Sequence, residues 1–169
     1  MPEPLTGKQV ELSDFHGKAL LVVFSCNHCP YVLHIIDAFC SLTSEAIARG
    51  LGVVMISAND VEGYPQDGPG PMAEFARAHG FEFPYLYDES QQVARAYQAA
   101  CTPDFFLFDA VHQLAYRGQF DAARPGNNEP VTGADLGAAI NAVLAGSAPS
   151  ENQVPSVGCN IKWRTGNEP

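Results

Sequence analysis

The chain has 169 residues, 46% of them apolar and 17% charged, and carries a formal net charge of −10. That length makes one domain with room for a sizeable core, and that composition is the composition of a globular chain. The acidic balance, with only Lys8, Lys18 and Lys162 as lysines, argues against a nucleic-acid backbone or an anionic membrane surface as partner.

Met1-Pro2-Glu3-Pro4 lacks the basic and apolar regions of a signal peptide, and no apolar stretch is expected to reach the ~18–20 residues of a membrane span. Residues 9–15 read as a short edge strand running into a turn at Gly17. Residues 19–25 are continuously apolar, as a central strand buried on both faces requires. A helix is predicted over 29–49, with Val32, Leu33, Ile36, Phe39, Cys40, Leu42 and Ile47 on a broad apolar face and Gly50 as its stop. Residues 51–57 give a second buried strand. The Gly- and Pro-rich loop 59–70 is long enough to border a site, and its Asp60, Glu62 and Asp67 read as a solvated acidic face. Pro71 starts a helix over 71–79 that Gly80 stops. Residues 83–87 read as a short strand, and Asp88 or Ser90 caps a helix running toward Tyr97. Residues 104–109 and 113–117 read as a hairpin, and Thr132-Gly133-Ala134-Asp135 opens a last helix ending near Leu144.

The domain is expected to span 1–146. The Pro-, Ser- and Asn-rich tail 147–169 is read as docked on it through Ile161 and Trp163. The order strand–helix–strand, inserted helical segment, strand–strand–helix makes an α/β fold. A central mixed β-sheet carries helices on both faces, and the inserted segment separates the βαβ and ββα halves.

The chemistry concentrates at Cys26-Asn27-His28-Cys29, directly after the buried run. In a first helical turn, residues three apart share a face. Their Cα atoms then lie roughly 5–6 Å apart, within reach of a disulfide. With Cys26 near the N-cap, its sulfur would meet free N–H groups and the positive end of the helix dipole. Both favour the thiolate, which is the nucleophile. Cys29, one turn in, would resolve the mixed disulfide formed at Cys26. Pro30 suits a first turn, where its missing N–H costs no helical bond. Protonated His28 would favour the thiolate further; otherwise it is a solvated loop histidine.

A Cys-x-x-Cys also begins zinc knuckles, which need a second ligand pair about 12–20 residues on. Only His34 and Cys40 stand there, so no metal and no cofactor is expected. The five cysteines, an odd number, fit a reducing compartment better than a secreted disulfide scaffold, and the chain is read as cytoplasmic.

Several stretches carry a family resemblance. They are Phe24-Ser25-Cys26-Asn27-His28-Cys29-Pro30-Tyr31-Val32, Phe83-Pro84-Tyr85-Leu86-Tyr87-Asp88, Cys101-Thr102-Pro103-Asp104-Phe105-Phe106-Leu107-Phe108-Asp109, Tyr116-Arg117-Gly118, and Pro155-Ser156-Val157-Gly158-Cys159-Asn160-Ile161-Lys162-Trp163. Together they resemble the thioredoxin-like, peroxiredoxin-related proteins of the AhpC/TSA redoxin superfamily. The resemblance implies a thioredoxin fold and a thiol–disulfide oxidoreductase working through a Cys26/Cys29 couple. It implies a cis bond at Thr102-Pro103 opposite the dithiol. The Thr102 backbone would then pair with an extended, cysteine-containing segment whose sulfur meets Cys26. Asn27, His28, Pro30, Thr102 and Pro103 support the site in this reading.

Cys101 reads either as a third redox thiol or as a small buried apolar residue. Cys159 reads either as a resolving or shuttle thiol brought back by the tail, or with Trp163 as the tail's anchor. Cys40 reads as core. The implied partners are disulfide-containing proteins or small thiols and a cellular thiol reductant. Neither nucleic acid nor membrane is expected, and the protein is read as a monomer or homodimer.

Where thioredoxins keep Gly-Pro between the cysteines, this chain has Asn27-His28. A histidine there resembles the oxidising periplasmic members. Peroxiredoxins place their attacking cysteine before a proline, as Cys29-Pro30 stands here, which gives an alternative reading as a thiol peroxidase with Cys29 attacking. Their threonine or serine three residues earlier and proline seven earlier are here Cys26 and Val22. Arg117 or Arg124 would have to supply that site's cation. A third reading, a thioredoxin-like metallochaperone, needs a histidine across the site. His112 stands in the hairpin turn, at the wrong end for it.

Overall fold

In the computed structural model, which describes residues 1–168, β1 (Leu20–Phe24) is buried at every position. It pairs in parallel with β2 (Gly52–Ser57) on one side and antiparallel with the strand Asp104–Phe108 on the other. β3 (Tyr85–Tyr87) continues the sheet beyond β2. After the two-residue β4 (Cys101–Thr102), that antiparallel neighbour is β5 (Asp104–Phe108), and β6 (Leu114–Gly118) forms a hairpin with it. The order is β3-β2-β1-β5-β6, a mixed sheet. β4 pairs separately and antiparallel with β7 (Cys159–Asn160).

Successive residues of a strand point to opposite faces, and the sheet buries both. Leu21, Val23, Val53, Met55, Phe105 and Leu107 share one core with Val32, Ile36 and Phe39 of α1 (Pro30–Ala48). Met72 of α2 (Pro69–Ala78) and Leu136 and Ile140 of α4 (Ala134–Leu144) complete it. On the other face Leu20, Val22, Phe24, Val54, Ile56 and Phe106 pack with Ala94 of α3 (Gln92–Ala96), with Ile161, and with the half-buried Phe15, Tyr97 and Trp163. This is the thioredoxin fold, α/β with helices on both faces.

Four local expectations change. Residues 9–15 do not form an edge strand: Gln9 makes one bridge to Pro2, and Leu12–Phe15 is a 3-10 turn. Asp14 accepts the Glu11 N–H at 2.9 Å, and Glu11 caps in return, so local polar side chains close a turn there. Leu33, placed on the apolar face, is 48% exposed, and Ile35 is buried in its stead. The second helix starts at Pro69 rather than Pro71. Finally, α1 is long and apolar enough to cross a membrane on length and composition, contrary to the expectation that no stretch is. In this fold it is the helix whose apolar stripe covers the sheet.

The tail lies against the domain. The Gln119 N–H donates to Val154 O at 2.8 Å and Ser156 Oγ donates to Gly118 O at 2.8 Å, fixing the tail on the end of β6. Beyond β7, the Lys162 N–H donates to Asn59 Oδ1 at 2.9 Å, and Lys162 O accepts from the Asp60 N–H at 2.8 Å and from Gln91 Nε2 at 2.9 Å. Gln91 Oε1 accepts the Arg164 N–H at 2.9 Å. Gln91 is buried and sits at φ 61°, so its amide bridges the domain and the tail.

Leu107 is fully buried between β1 and β6. Leu107→Ala is expected to lower unfolding free energy by ~2–5 kcal/mol through lost burial and a residual cavity. Leu33→Ala should change it by less than ~0.5 kcal/mol. Urea unfolding of the two variants checks the helix facing directly.

Candidate active site

β1 leads the chain out of the sheet, and the Ser25 N–H still bonds Ile56 O at 2.8 Å. The next four residues turn into α1. Pro30 is the first helical residue, so the N-cap is Cys29. The expectation that Cys26 caps the helix is therefore corrected: Cys26 lies three residues upstream of the cap. Cys29 makes no side-chain cap hydrogen bond, and of the first-turn amides that of Val32 favours its thiolate.

Both sulfurs face the Thr102-Pro103 peptide, which is cis. Cys29 Sγ stands 3.0 Å from Thr102 O, and Cys26 Sγ lies 3.6 Å from Thr102 Oγ1. Both cysteines are buried, at 1% and 0% exposure. The Cys29 thiol is held well below the usual thiol range. A hydrogen bond from Cys26 does most of this, against the cost of burial, with donors from Cys159 and Thr102 and the Val32 amide adding to it. The Cys26 thiol is pushed up by its bond to Cys29, by burial and by the negative charge of Asp67.

Asp67 is a site residue that sequence reasoning placed in a solvated loop. It is fully buried beneath the dithiol turn. Its Oδ1 accepts the Asn27 N–H at 2.8 Å and its Oδ2 accepts from Asn59 Nδ2 at 2.8 Å. His28 Nδ1 stands 2.8 Å from the same carboxylate, an ion pair when the imidazole is protonated. The His28 ring stacks on Tyr64, with centroids 5.7 Å apart. Asn27 is held further by Tyr85, whose hydroxyl donates to Asn27 Oδ1 at 3.0 Å. No pattern in the sequence separates Asp67 from Asp60, whose carboxylate pairs with Arg164 at 3.5 Å.

Cys26, His28 and Asp67 bring potential metal-ligand atoms within 4.8 Å of one another. The Asp67 oxygens are already engaged by Asn27, Asn59 and His28. His112 lies beyond the far end of β5, with Nε2 3.3 Å from Phe15 O. Arg117 lies over Phe106 and pairs with Asp104 at 3.5 Å. Arg124 donates to the carbonyls of Asp121 and Ala123. Cys101 Sγ donates to Pro103 O at 3.4 Å, and burial pushes its thiol up to about 12. Burial likewise pushes Cys40 up to about 11.

Cys159 joins the couple through the tail. Thr102 pairs with Cys159 across β4 and β7, and Cys159 Sγ stands 3.0 Å from Cys29 Sγ. A paired-thiol turn at a helix start, facing a cis-proline strand, defines a thioredoxin-fold protein with a dithiol site.

The chain belongs to the AhpC/TSA family, whose model matches residues 3–117. It is 28% identical over 114 residues to the thiol-disulfide oxidoreductase ResA of Bacillus subtilis, covering 63% of this chain and 56% of that protein. The chain thus spans little more than half the length of that relative. A hypothetical protein of Sinorhizobium meliloti 1021 shares 48% identity at a TM-score of 0.95, over 98% of this chain and 91% of that one. A thioredoxin-family thiol:disulfide interchange protein of Chlorobium tepidum matches the fold at a TM-score of 0.66 and 18% identity, over 85% of this chain and 91% of that one.

The depressed pKa of Cys29 predicts a thiolate that persists below neutral pH in the reduced protein. Ultraviolet thiolate absorbance should keep that low-pH step in Cys26→Ser and lose it in Cys29→Ser. The opposite pattern returns the cap role to Cys26. Because the folded value is depressed, the ionised thiol stabilises the reduced protein fully above the unfolded thiol range, at about pH 8.5. That stability is lost as the pH falls through the folded value of Cys29.

Proposed function

We propose that this chain is a thiol–disulfide oxidoreductase in which Cys26 and Cys29 cycle between dithiol and disulfide. One observation carries the reading: two buried thiols three residues apart converge on one strand residue, Thr102, through its carbonyl and its hydroxyl. That backbone is where an extended substrate pairs as an added strand.

The reduced protein holds its thiolate on Cys29. This sulfur attacks one sulfur of the substrate disulfide, and the other leaves as a thiolate that takes up a proton. Cys26 then gives up its proton and attacks Cys29 Sγ. The Cys26–Cys29 disulfide forms, and the second substrate sulfur leaves as a thiol. Two electrons have passed to the substrate, and an external thiol reductant restores the pair. The attacking role thus falls to Cys29 and the resolving role to Cys26, the reverse of the sequence expectation. Asp67 and His28 act as positioning residues, fixing the turn that carries both sulfurs. Disulfide-containing proteins or small disulfides are the substrate class.

The cap position of Cys29 also favours a second reading, a thiol peroxidase in which Cys29 attacks a hydroperoxide and Cys26 resolves. Against it, Cys26 and Val22 stand where that chemistry places a hydroxyl and a proline.

The test is turnover of a disulfide substrate, oxidised glutathione or insulin, with dithiothreitol as reductant. Cys26→Ser and Cys29→Ser are each expected to lose roughly a hundredfold or more, since the two sulfurs act as a unit. Hydroperoxide consumption by stopped flow runs beside it. Fast peroxide reduction by Cys26→Ser that Cys29→Ser abolishes moves the site to the peroxidase reading. Unimpaired disulfide turnover in both variants ends the dithiol assignment.

A further inference from the structure

We propose that Cys159 is a third redox thiol of this site, the outer member of a three-sulfur relay that links external disulfides to the buried Cys26/Cys29 pair. The inference rests on the dithiol reading above and adds a residue and a route to it.

Three observations carry it. The seat that an incoming strand would take beside Thr102 is held by the chain itself, with Thr102 paired to Cys159 and Cys101 to Asn160. The Cys159 sulfur in that seat stands 3.0 Å from Cys29 Sγ. Of the three residues, Cys26 and Cys29 are buried and only Cys159 is partly exposed. A disulfide in solution therefore meets Cys159 first.

The approach is built into the tail's own sequence. A Cβ at position 158 would lie 2.0 Å from Thr102 O, so Gly158 is what lets the two backbones come together. Downstream, the bonds from Asn59, Asp60 and Gln91 to Lys162 hold the segment in place on the far side of β7.

The relay balances at each step. The Cys159 thiol, which burial pushes up to about 11, gives up its proton as it attacks one sulfur of the external disulfide, and the other sulfur leaves with that proton as a thiol. Cys29 thiolate attacks Cys159 Sγ, forming the Cys29–Cys159 disulfide and releasing the second external sulfur. Cys26 gives up its proton and attacks Cys29 Sγ, and the Cys159 thiolate that leaves takes the proton. The net change is one external disulfide reduced to two thiols and one Cys26–Cys29 disulfide formed. Cys159 returns to its starting state.

Removing Cys26 should stop the relay at its middle step. Reduced Cys26→Ser protein is treated with oxidised glutathione, quenched in acid, alkylated and digested with trypsin. Cys29 falls with Cys40 in fragment 19–49, Cys101 in 96–117 and Cys159 in 118–162, and fragmentation of the linked peptide tells Cys29 from Cys40. The expected product is a monomer with fragments 19–49 and 118–162 joined through Cys29 and Cys159. Adding Gly158→Ala should slow that linkage at least about tenfold, because lifting the strand removes its high effective concentration.

Glutathione left on Cys29 with Cys159 unlinked overturns the proposal, as does an undiminished rate with Gly158→Ala. Cys159→Ser separates this failure from that of the dithiol reading. If that variant forms the Cys26–Cys29 disulfide as fast as the unsubstituted protein, the pair stands without the relay. If the unsubstituted protein itself forms no Cys26–Cys29 disulfide, the pair falls.

Discussion

The site depends on the residue at which α1 begins. β1 keeps its hydrogen bonding through Ser25, and the helix starts at Pro30. The four intervening residues are too few to move either end. Proline has no amide to leave unbonded at a first helical position, so the cap falls on Cys29. The hydrogen bond between the two sulfurs is the largest cause of their different acidities, lowering Cys29 and raising Cys26, and the Val32 amide of the first turn adds to it.

Asp67 makes that polarity sharper. A buried carboxylate needs partners, and it finds them in the Asn27 amide, Asn59 and His28. Those contacts hold the dithiol turn from below. The same negative charge opposes a thiolate on Cys26. One residue therefore fixes the geometry of both sulfurs and makes one of them the poorer anion. Holding a thiolate on Cys29 stabilises the reduced form relative to the disulfide, and Asp67 works against any second negative charge there. The poise of the couple follows first from the hydrogen bond between its sulfurs, with burial and the Asp67 charge raising Cys26 further.

Much of the scaffold was legible. The apolar runs at 19–24 and 51–56 mark strands buried on both faces, and the hairpin at 104–117 follows from two short strands around a polar turn. The cap position was legible too, since a proline just inside a helix start names the preceding residue as the cap. Pro30 thereby places the turn and singles out Cys29 over Cys26 as the cap. Other features leave no trace in local pattern. β4 and β7 are two residues each, and two residues have no period. Asp67 is distinguished from Asp60 by what lies above it in space, not by its neighbours in the chain. At 12–15, reciprocal bonds between Glu11 and Asp14 win over a strand that has only one bridge to gain.

The tail settles a problem that the fold creates. In the proposed reading the Thr102 strand presents its backbone to substrates, which leaves polar groups unpaired when none is there, and in a buried setting such groups are costly. β7 satisfies them with only two residues of pairing. The firmer attachments lie on either side, at Gln119 and Ser156 before it and at Asn59 and Gln91 after it. A short pairing between strong anchors can open without the tail being lost. Closing it again costs little, because the segment stays tethered next to its seat. The chain thereby keeps its dithiol out of water at rest while leaving the Thr102 edge within reach of a competing strand. The closed arrangement leaves no room for a Cβ at 158, and the sequence places a glycine there.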